Sequence, residues 1–279
     1  MAKFAFIGTG NMGGALARAA ARRLPPEDIL LVNRTHAKAQ ALADELGCAA
    51  VSLRQAAAEA KYILLGVKPQ MMRELLAELS PLLAGRWSAC SSSEAAEDRC
   101  ILVTMAAGLT MSQIAEMTES AQPGGIIRIM PNTPCAIGEG VILYDANSAV
   151  AREDLAEFTD TMSGAGLLDR LSEHLIDAGS AVAGCGPAFA SLFLESLADG
   201  GVTCGLPRDK AMRYAAQMLK GAAALQLATG THPGALKDAV CSPGGSTIAG
   251  VRILEERGFR GAVMDAAIAA AERSGELGK

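Results

Sequence analysis

The stretch Phe4-Ala5-Phe6-Ile7-Gly8-Thr9-Gly10-Asn11-Met12-Gly13 decides the fold. A short apolar run leads into G-x-G-x-x-G, and an Ala-rich segment from Ala15 to Arg23 follows. A glycine motif alone says little, but between a strand and a helix it has the context of a dinucleotide phosphate turn. Gly8 allows the tight turn, Gly10 lets the backbone approach a pyrophosphate, and Gly13 lets the helix lie close to the strand. Freed amides and the helix dipole then favour an anion. The plain alternative is a glycine-rich turn without a ligand. A second apolar run, Ile29 to Val32, carries the next clue. An acid gripping a ribose 2′-hydroxyl belongs at the end of this strand, ~20 residues on. Glu27 and Asp28 stand at the wrong end, and Asn33-Arg34-Thr35 closes the right one. With a cation and donors there and no carboxylate, NADP(H) is favoured over NAD(H). Arg34 stacked on adenine or simply solvated are the competing readings.

Outward from this stretch, strands and helices alternate. Strands are expected at Ala49 to Val51, Tyr62 to Val67, Ile101 to Ala106, Ile126 to Met130 and Val141 to Tyr144. Helices are expected at Ala37 to Leu46, with Gly47 as its stop, and at Met71 to Leu79. The pattern implies a parallel sheet covered on both faces. Residues 1–166 are therefore read as a Rossmann-type dinucleotide-binding domain. Its one anomaly is the polar, Ser-rich stretch 87–99, expected to be an exposed loop. From residue 167 to 279 strand signals nearly vanish. Ala-rich helices are expected at Ala188 to Asp199, Arg208 to Thr229, Thr247 to Arg257 and Arg260 to Arg273, punctuated by Gly and Pro. Helices apolar all round need burial, and little more than 100 residues offer limited interior, so an interleaved helical homodimer is expected. The fold class is thus α/β: a Rossmann-type domain followed by an all-α dimerisation domain.

Composition narrows the function. Of 279 residues half are apolar and a fifth charged, which excludes disorder. The net charge of −5 argues against general nucleic-acid binding, which needs a basic footprint. The longest uncharged run, Ala178 to Leu194, is interrupted by Gly184, Gly186 and Pro187 and falls short of the ~20 apolar residues of a membrane span. Met1-Ala2-Lys3 passes directly into a strand, without the apolar stretch of a signal peptide. Seven cysteines without C-x-x-C, and three scattered histidines, argue against a metal site and for a reduced, cytoplasmic protein.

Three further places carry candidate chemistry. Lys68-Pro69 follows the Tyr62 strand, whose carboxyl end faces the ligand crevice of such a sheet. Lys68 either contacts cofactor or substrate there, or lays its stem on the sheet with its ammonium in water. Asn132, in Met130-Pro131-Asn132-Thr133-Pro134, either bonds the nicotinamide region or caps a turn, and the residues themselves favour the turn. Ser242-Pro243-Gly244-Gly245-Ser246-Thr247 precedes a helix. Its glycines and hydroxyls suit a substrate carboxylate, with an ordinary helix cap as the alternative. Cys241 beside it lacks an activating partner. Gly184-Cys185-Gly186-Pro187 reads as a close helix crossing, and Glu173, His174 and Asp177 as solvated charges.

Taken together and in order, F-I-G-T-G-N-M-G-G, V-N-R-T, G-V-K-P-Q, M-P-N-T-P, L-I-D-A, G-C-G-P-A-F, L-A-D-G-G-V, G-L-P-R, H-P-G-A-L-K-D and S-P-G-G-S-T-I resemble the pyrroline-5-carboxylate reductases along nearly the whole chain. The resemblance implies reduction of the cyclic imine 1-pyrroline-5-carboxylate to proline with NADPH, or NADH as the alternative. It also implies a helical domain interlocked into dimers, often joined into decamers. Matching positions place NADPH on Gly8, Thr9, Gly10, Asn11 and Met12 and on Asn33, Arg34 and Thr35. Val67, Lys68, Pro69, Ala106 and Asn132 flank its reactive end. Ser246 and Thr247 bind the imine, with Thr247 and Lys68 as the catalytic candidates. Ser242, Gly244 and Gly245 shape the pocket, and Glu173 matches a position within reach of substrate. The site would pair one chain's helical half with a neighbour's, so dimerisation would be needed for activity. The sequence departs from the family pattern at Cys185 and Phe189, each lacking a hydroxyl. It departs again at Ala239 and Cys241, where Asn and Ser are common, and in the longer 87–99 stretch. These departures bear on cofactor affinity and substrate range rather than on the reaction class.

Overall fold

The computed structural model describes residues 3–89, 100–118 and 124–277. Its sheet strands are β1 Phe4–Ile7, β2 Ile29–Val32, β3 Ala49–Ala50, β4 Tyr62–Leu65, β5 Ile101–Thr104, β6 Ile126–Pro131, β7 Gly140–Ala146 and β8 Gly166–Arg170. They form one eight-stranded sheet in the order β3-β2-β1-β4-β5-β6-β7-β8. Between them come α1 Asn11–Ala20, α2 His36–Leu46, α3 Leu53–Glu59, α4 Pro69–Ala89, α5 Met111–Met117 and α6 Arg152–Met162. The order reverses beside β1, and at such a switch point the carboxyl ends of the strands open a crevice for ligands.

Strand periodicity explains the two cores. Phe4, Phe6, Ile29, Leu31, Tyr62, Leu64, Ile101, Val103, Ile127 and Ile129 point to one face, against α1, α2 and α6. The alternate residues Ala5, Ile7, Leu30, Val32, Ile63, Leu65 and Leu102 point to the other, against α3, α4 and α5. Strands buried on both faces read as the unbroken apolar runs seen in the sequence. Phe4, Tyr62 and Phe158 stack at one end of the first core, with ring centroids 4.5 Å apart for Phe4 and Tyr62. The Tyr62 hydroxyl donates to the Asp154 carbonyl at 2.7 Å. Burial, helped by the Glu157 carboxylate, pushes its phenol well above the ordinary range. Lys61 lies between Asp154 and Glu157 at 2.7 and 2.6 Å. Burial opposes its charge, but the hydrogen bonds to both carboxylates outweigh this and raise its pKa.

Two expectations change here. The sheet is mixed, because β7 runs antiparallel to β6. The link from Asn132 to Glu139 is too short for a crossover helix, so the chain must double back. Trp87 is not in a loop. It lies in the last turn of α4, which continues through Pro81, and is only 4% exposed. Its indole N–H donates to the Cys100 carbonyl at 3.2 Å, completing the second core. Residues 90–99 of that stretch lie outside the described residues.

The second part of the chain is helical: α7 Ile176–Ala183, α8 Gly186–Thr203, α9 Arg208–Thr229, α10 Pro233–Ala239, α11 Ser246–Glu256 and α12 Phe259–Leu277. The chain divides into two compact units, residues 1–185 with 270–279, and residues 186–269. The change of sequence pattern at Gly166 precedes this division, since β8 pairs in parallel with β7 and α7 remains with the sheet. In the helical unit Leu192, Leu197, Met212, Tyr214, Leu225, Leu227, Ile253, Val263, Met264 and Ile268 stand exposed. The segment Glu173–Thr203 is long and apolar enough, by length and composition, to cross a membrane, contrary to the expectation from the uncharged run alone. Only a turn at Gly184 and Cys185 separates α7 from α8, and Pro187 sits in the first turn of α8, where a missing N–H is harmless. Replacing Trp87 with Ala leaves a large void in the second core and removes the hydrogen bond to the Cys100 carbonyl. Urea unfolding of Trp87→Ala is expected to show a loss of about 3–5 kcal/mol, against about zero for an exposed loop residue.

Candidate functional site

Three glycines build the mouth of the sheet. Gly8 follows β1 with φ +95°, a left-handed conformation. A Cβ on Gly8 would stand 2.6 Å from the Gly66 carbonyl oxygen, and one on Gly66 would stand 2.7 Å from the Gly8 oxygen. A Cβ on Gly13 would collide with that same Gly8 oxygen. Gly8 N–H donates to the Val32 carbonyl and Gly66 N–H to that of Ile7, at 2.8 and 2.7 Å. The ends of β1, β2 and β4 and the start of α1 thus meet without side chains between them. At Gly10 the situation is opposite: a Cβ would meet nothing within 4 Å. Gly10 caps α1 with no side-chain hydrogen bond, so the first amides of the helix are left for an anion. The Thr9 hydroxyl oxygen is buried and has no hydrogen-bond partner among the described residues. Asn11 is exposed and Met12 half-buried at the same turn.

The end of β2 supplies charge. Asn33 donates through Nδ2 to the Thr35 carbonyl at 3.1 Å, which shapes the turn into α2. Arg34, Thr35, His36 and Lys38 are exposed. Among the described residues Arg34 makes no ion pair, so its guanidinium is available to a phosphate. At the end of β4, Val67 packs partly into the second core. Lys68 is exposed, and its carbonyl accepts from Met71 N–H at 2.9 Å as α4 begins at Pro69. Ala106, after β5, is buried.

Other candidates are committed within the fold. Asn132 is 6% exposed. Its Nδ2 donates to the Ala183 carbonyl at 2.9 Å, and its Oδ1 accepts from Val141 N–H at 2.9 Å. It therefore braces the loop after β6 against α7 and β7, in keeping with the turn role. Glu173 does not stand free either. Its carboxylate accepts from Met111 N–H at 2.6 Å and lies 3.6 Å from Arg128. Sequence reading missed Arg128 altogether, and took Asp177 for a solvated charge. Arg128 is 1% exposed within β6, and its Nη2 donates to Asp177 Oδ1 at 2.8 Å. The signal was there in one charge amid Ile126-Ile127 and Ile129-Met130, since a buried cation demands partners.

The substrate loop belongs to the helical unit. Gly244 adopts φ +67°, and a side chain on Gly245 would strike the Ser242 hydroxyl. Gly245 N–H donates to the Ser242 carbonyl at 3.0 Å and caps α11 without any side-chain hydrogen bond. Ser242, Ser246 and Thr247 are exposed around this open helix start. Upstream, His232 caps α10 by accepting from Gly234 N–H at 3.1 Å. That accounts for the His of H-P-G as a structural residue.

A doubly wound sheet, a bare glycine turn at its switch point and an open cation beside it define a nicotinamide-dinucleotide oxidoreductase. Residues 173–277 match the model described as pyrroline-5-carboxylate reductase dimerisation. Residues 3–87 match that described as NADP oxidoreductase coenzyme F420-dependent. The pyrroline-5-carboxylate reductase of Escherichia coli (strain K12) is 38% identical, covering 99% of this chain and 98% of the relative. That of Pisum sativum is 36% identical, covering 98% and 94%. The crystal structure of Plasmodium falciparum pyrroline carboxylate reductase with NADP bound superposes with a TM-score of 0.84 at 30% identity, covering 100% of this chain and 98% of the other. The chain belongs to the pyrroline-5-carboxylate reductase family.

Gly13→Ala forces α1 away from β1. It is expected to lower NADPH affinity at least about tenfold and stability by about 1–3 kcal/mol, read by fluorescence titration and thermal unfolding. Wild-type affinity in a folded variant would contradict the glycine cradle.

Proposed function

We infer that the protein reduces 1-pyrroline-5-carboxylate to L-proline with NAD(P)H, an oxidoreductase acting on a C=N bond. The single observation that carries this is the full-length match to reductases of that activity, on a fold whose glycine turn is open where a dinucleotide phosphate would sit. The residues present fit the cofactor: a helix start with no side-chain cap and, among the described residues, a buried Thr9 hydroxyl with no hydrogen-bond partner and an Arg34 in no ion pair. When bound, the nicotinamide supplies a hydride. Gly8, Thr9, Gly10, Asn11, Met12 and Gly13 are proposed to hold the pyrophosphate. Asn33, Arg34 and Thr35 take the ribose 2′-phosphate. Val67, Lys68, Pro69 and Ala106 border the reactive end.

In the helical unit, Ser242, Gly244 and Gly245 shape a turn whose amides, with Ser246, take the substrate carboxylate. The Thr247 hydroxyl is proposed to bond the ring nitrogen and assist its protonation. A protonated imine carbon is electrophilic enough to need no metal. The chain then has only to orient the ring and exclude its other face, and such positioning contributes about 7–11 kcal/mol to rate. The protein is an oligomer through its helical part. We further propose that a second copy, rather than lipid, covers the exposed apolar faces of α8, α9 and α12. The dimerisation match over residues 173–277 supports this reading. Assembly of such dimers into a decamer remains part of the proposal, as does a cytoplasmic location, supported by the free thiols of Cys48, Cys135, Cys185 and Cys204.

The direct test is oxidation of NADPH, with NADH in parallel, on addition of 1-pyrroline-5-carboxylate, followed at the nicotinamide absorbance with proline identified as product. No turnover with either cofactor, despite NADPH binding, would overturn the reading. Arg34→Ala is expected to raise the KM for NADPH about tenfold, near 1.4 kcal/mol, and to leave that for NADH almost unchanged. Equal effects on both would remove Arg34 from the 2′-phosphate. Thr247→Ala is expected to lower kcat/KM about 10²-fold with NADPH affinity intact. Unchanged turnover would refute its role.

A further inference from the structure

The chain passes between its two units twice, after Cys185 and after Ala269. Segments adjoining both crossings are fastened to one carboxylate. Asp177, in the first turn of α7, accepts from Arg128 Nη2 at 2.8 Å and from Ser274 Oγ, near the end of α12, at 3.3 Å. Arg128 is sealed inside β6 and cannot follow a moving partner, since its stem fills a buried position of the sheet. The rest of the α7 segment is held as well. Glu173 takes Met111 N–H, which ends the loop carrying Ala106, and the Ala183 carbonyl takes the Asn132 amide. The segment from Glu173 to Ala183 is therefore bonded to the loops after β5 and β6, two of the three that the resemblance places at the reactive end of the cofactor. None of these residues belongs to the phosphate turn or to the substrate loop.

We propose that Asp177 is a positioning residue for hydride transfer. With Arg128 and Ser274 it clasps α7 and the end of α12 to β6, and so holds the segment that braces the loops after β5 and β6 beside the reactive end of the cofactor; turnover depends on it and cofactor binding does not. This rests on the reductase reading above. A misplacement of about 1 Å between reacting groups lowers rate by about 10²-fold, while affinity for a ligand held elsewhere is unaffected. Ser274 and Asp177 are only half-buried, and Asn at 177 keeps the shape and an acceptor for Arg128, as Thr at 274 keeps the hydroxyl.

The experiment compares Asp177→Asn, Ser274→Ala and Ser274→Thr with the parent enzyme. Its readouts are kcat and KM for the imine, Kd for NADPH, and hydrogen exchange of residues 176–183 and 270–277. Expected for Asp177→Asn is a kcat about tenfold lower, an NADPH Kd within about twofold, and exchange about tenfold faster in both segments. Ser274→Ala is expected to shift the same quantities about threefold, with recovery in Ser274→Thr. Faster exchange with unchanged kcat would make the clasp merely structural and overturn the proposal, as would variants identical to the parent. Should Asp177→Asn fail to fold, the Ser274 pair decides. A parent enzyme inactive on the imine would overturn the reductase reading and this proposal with it, whereas an active parent with unchanged variants overturns the clasp alone.

Discussion

At the switch point of the sheet, three residues without side chains press together: Gly8, Gly13 and Gly66. Everything nearby depends on that contact. It brings the start of α1 against the ends of β1 and β4 and aims the helix's first amides into the crevice. It also sets Gly10 at the open edge, with nothing within 4 Å of where its side chain would be. The collision distances are short enough that a single methyl must move backbone, not a flexible side chain. The same sequence feature therefore serves packing and binding.

Around that contact the polar side chains divide by whether they are already occupied. Asn132, Glu173, Arg128 and Asp177 bond to one another's segments and hold loops in place. Arg34, Lys68, Ser246 and Thr247 are exposed at strand ends or at a helix start, and are open to a ligand. This division assigns roles more sharply than residue type does. The carboxylate at 173, a solvated charge by its sequence and within reach of substrate by resemblance, accepts a backbone amide and faces a cation in the structure.

What could be read from the sequence follows the range of the interaction. β1, β2 and α9 lie where the apolar runs and the Gly and Pro stops put them, because their signals are local. The glycine turn was legible for the same reason. β8, Gly166–Arg170, was not, since its short Gly-Leu-Leu-Asp-Arg stretch has neither an apolar run nor an alternation long enough to read, and it owes its existence to pairing with β7. The short α7, α3 and α10 lack a long periodic face. α4 outran its expected end because Pro81 is tolerated within it and Trp87 found a buried place, a tertiary gain that no local propensity signals. The antiparallel β7 could have been inferred from the short Asn132–Glu139 link alone. The Arg128 cluster needed the fold, since its partners lie 45 to 49 positions away along the chain. In the helical unit the apolar excess was readable as a demand for burial, and the match over residues 173–277 names a dimerisation region as its answer.

This chain moves a hydride from a nicotinamide to the imine carbon of 1-pyrroline-5-carboxylate. The most direct measurement uses NADPH carrying deuterium at both C4 positions of the nicotinamide, with proline analysed by mass spectrometry and NMR. One deuterium per proline is expected, at the former imine carbon, with none acquired there from deuterated water when the cofactor is unlabelled. Proline formed without the label, or no proline at all from an enzyme saturated with cofactor, would contradict it.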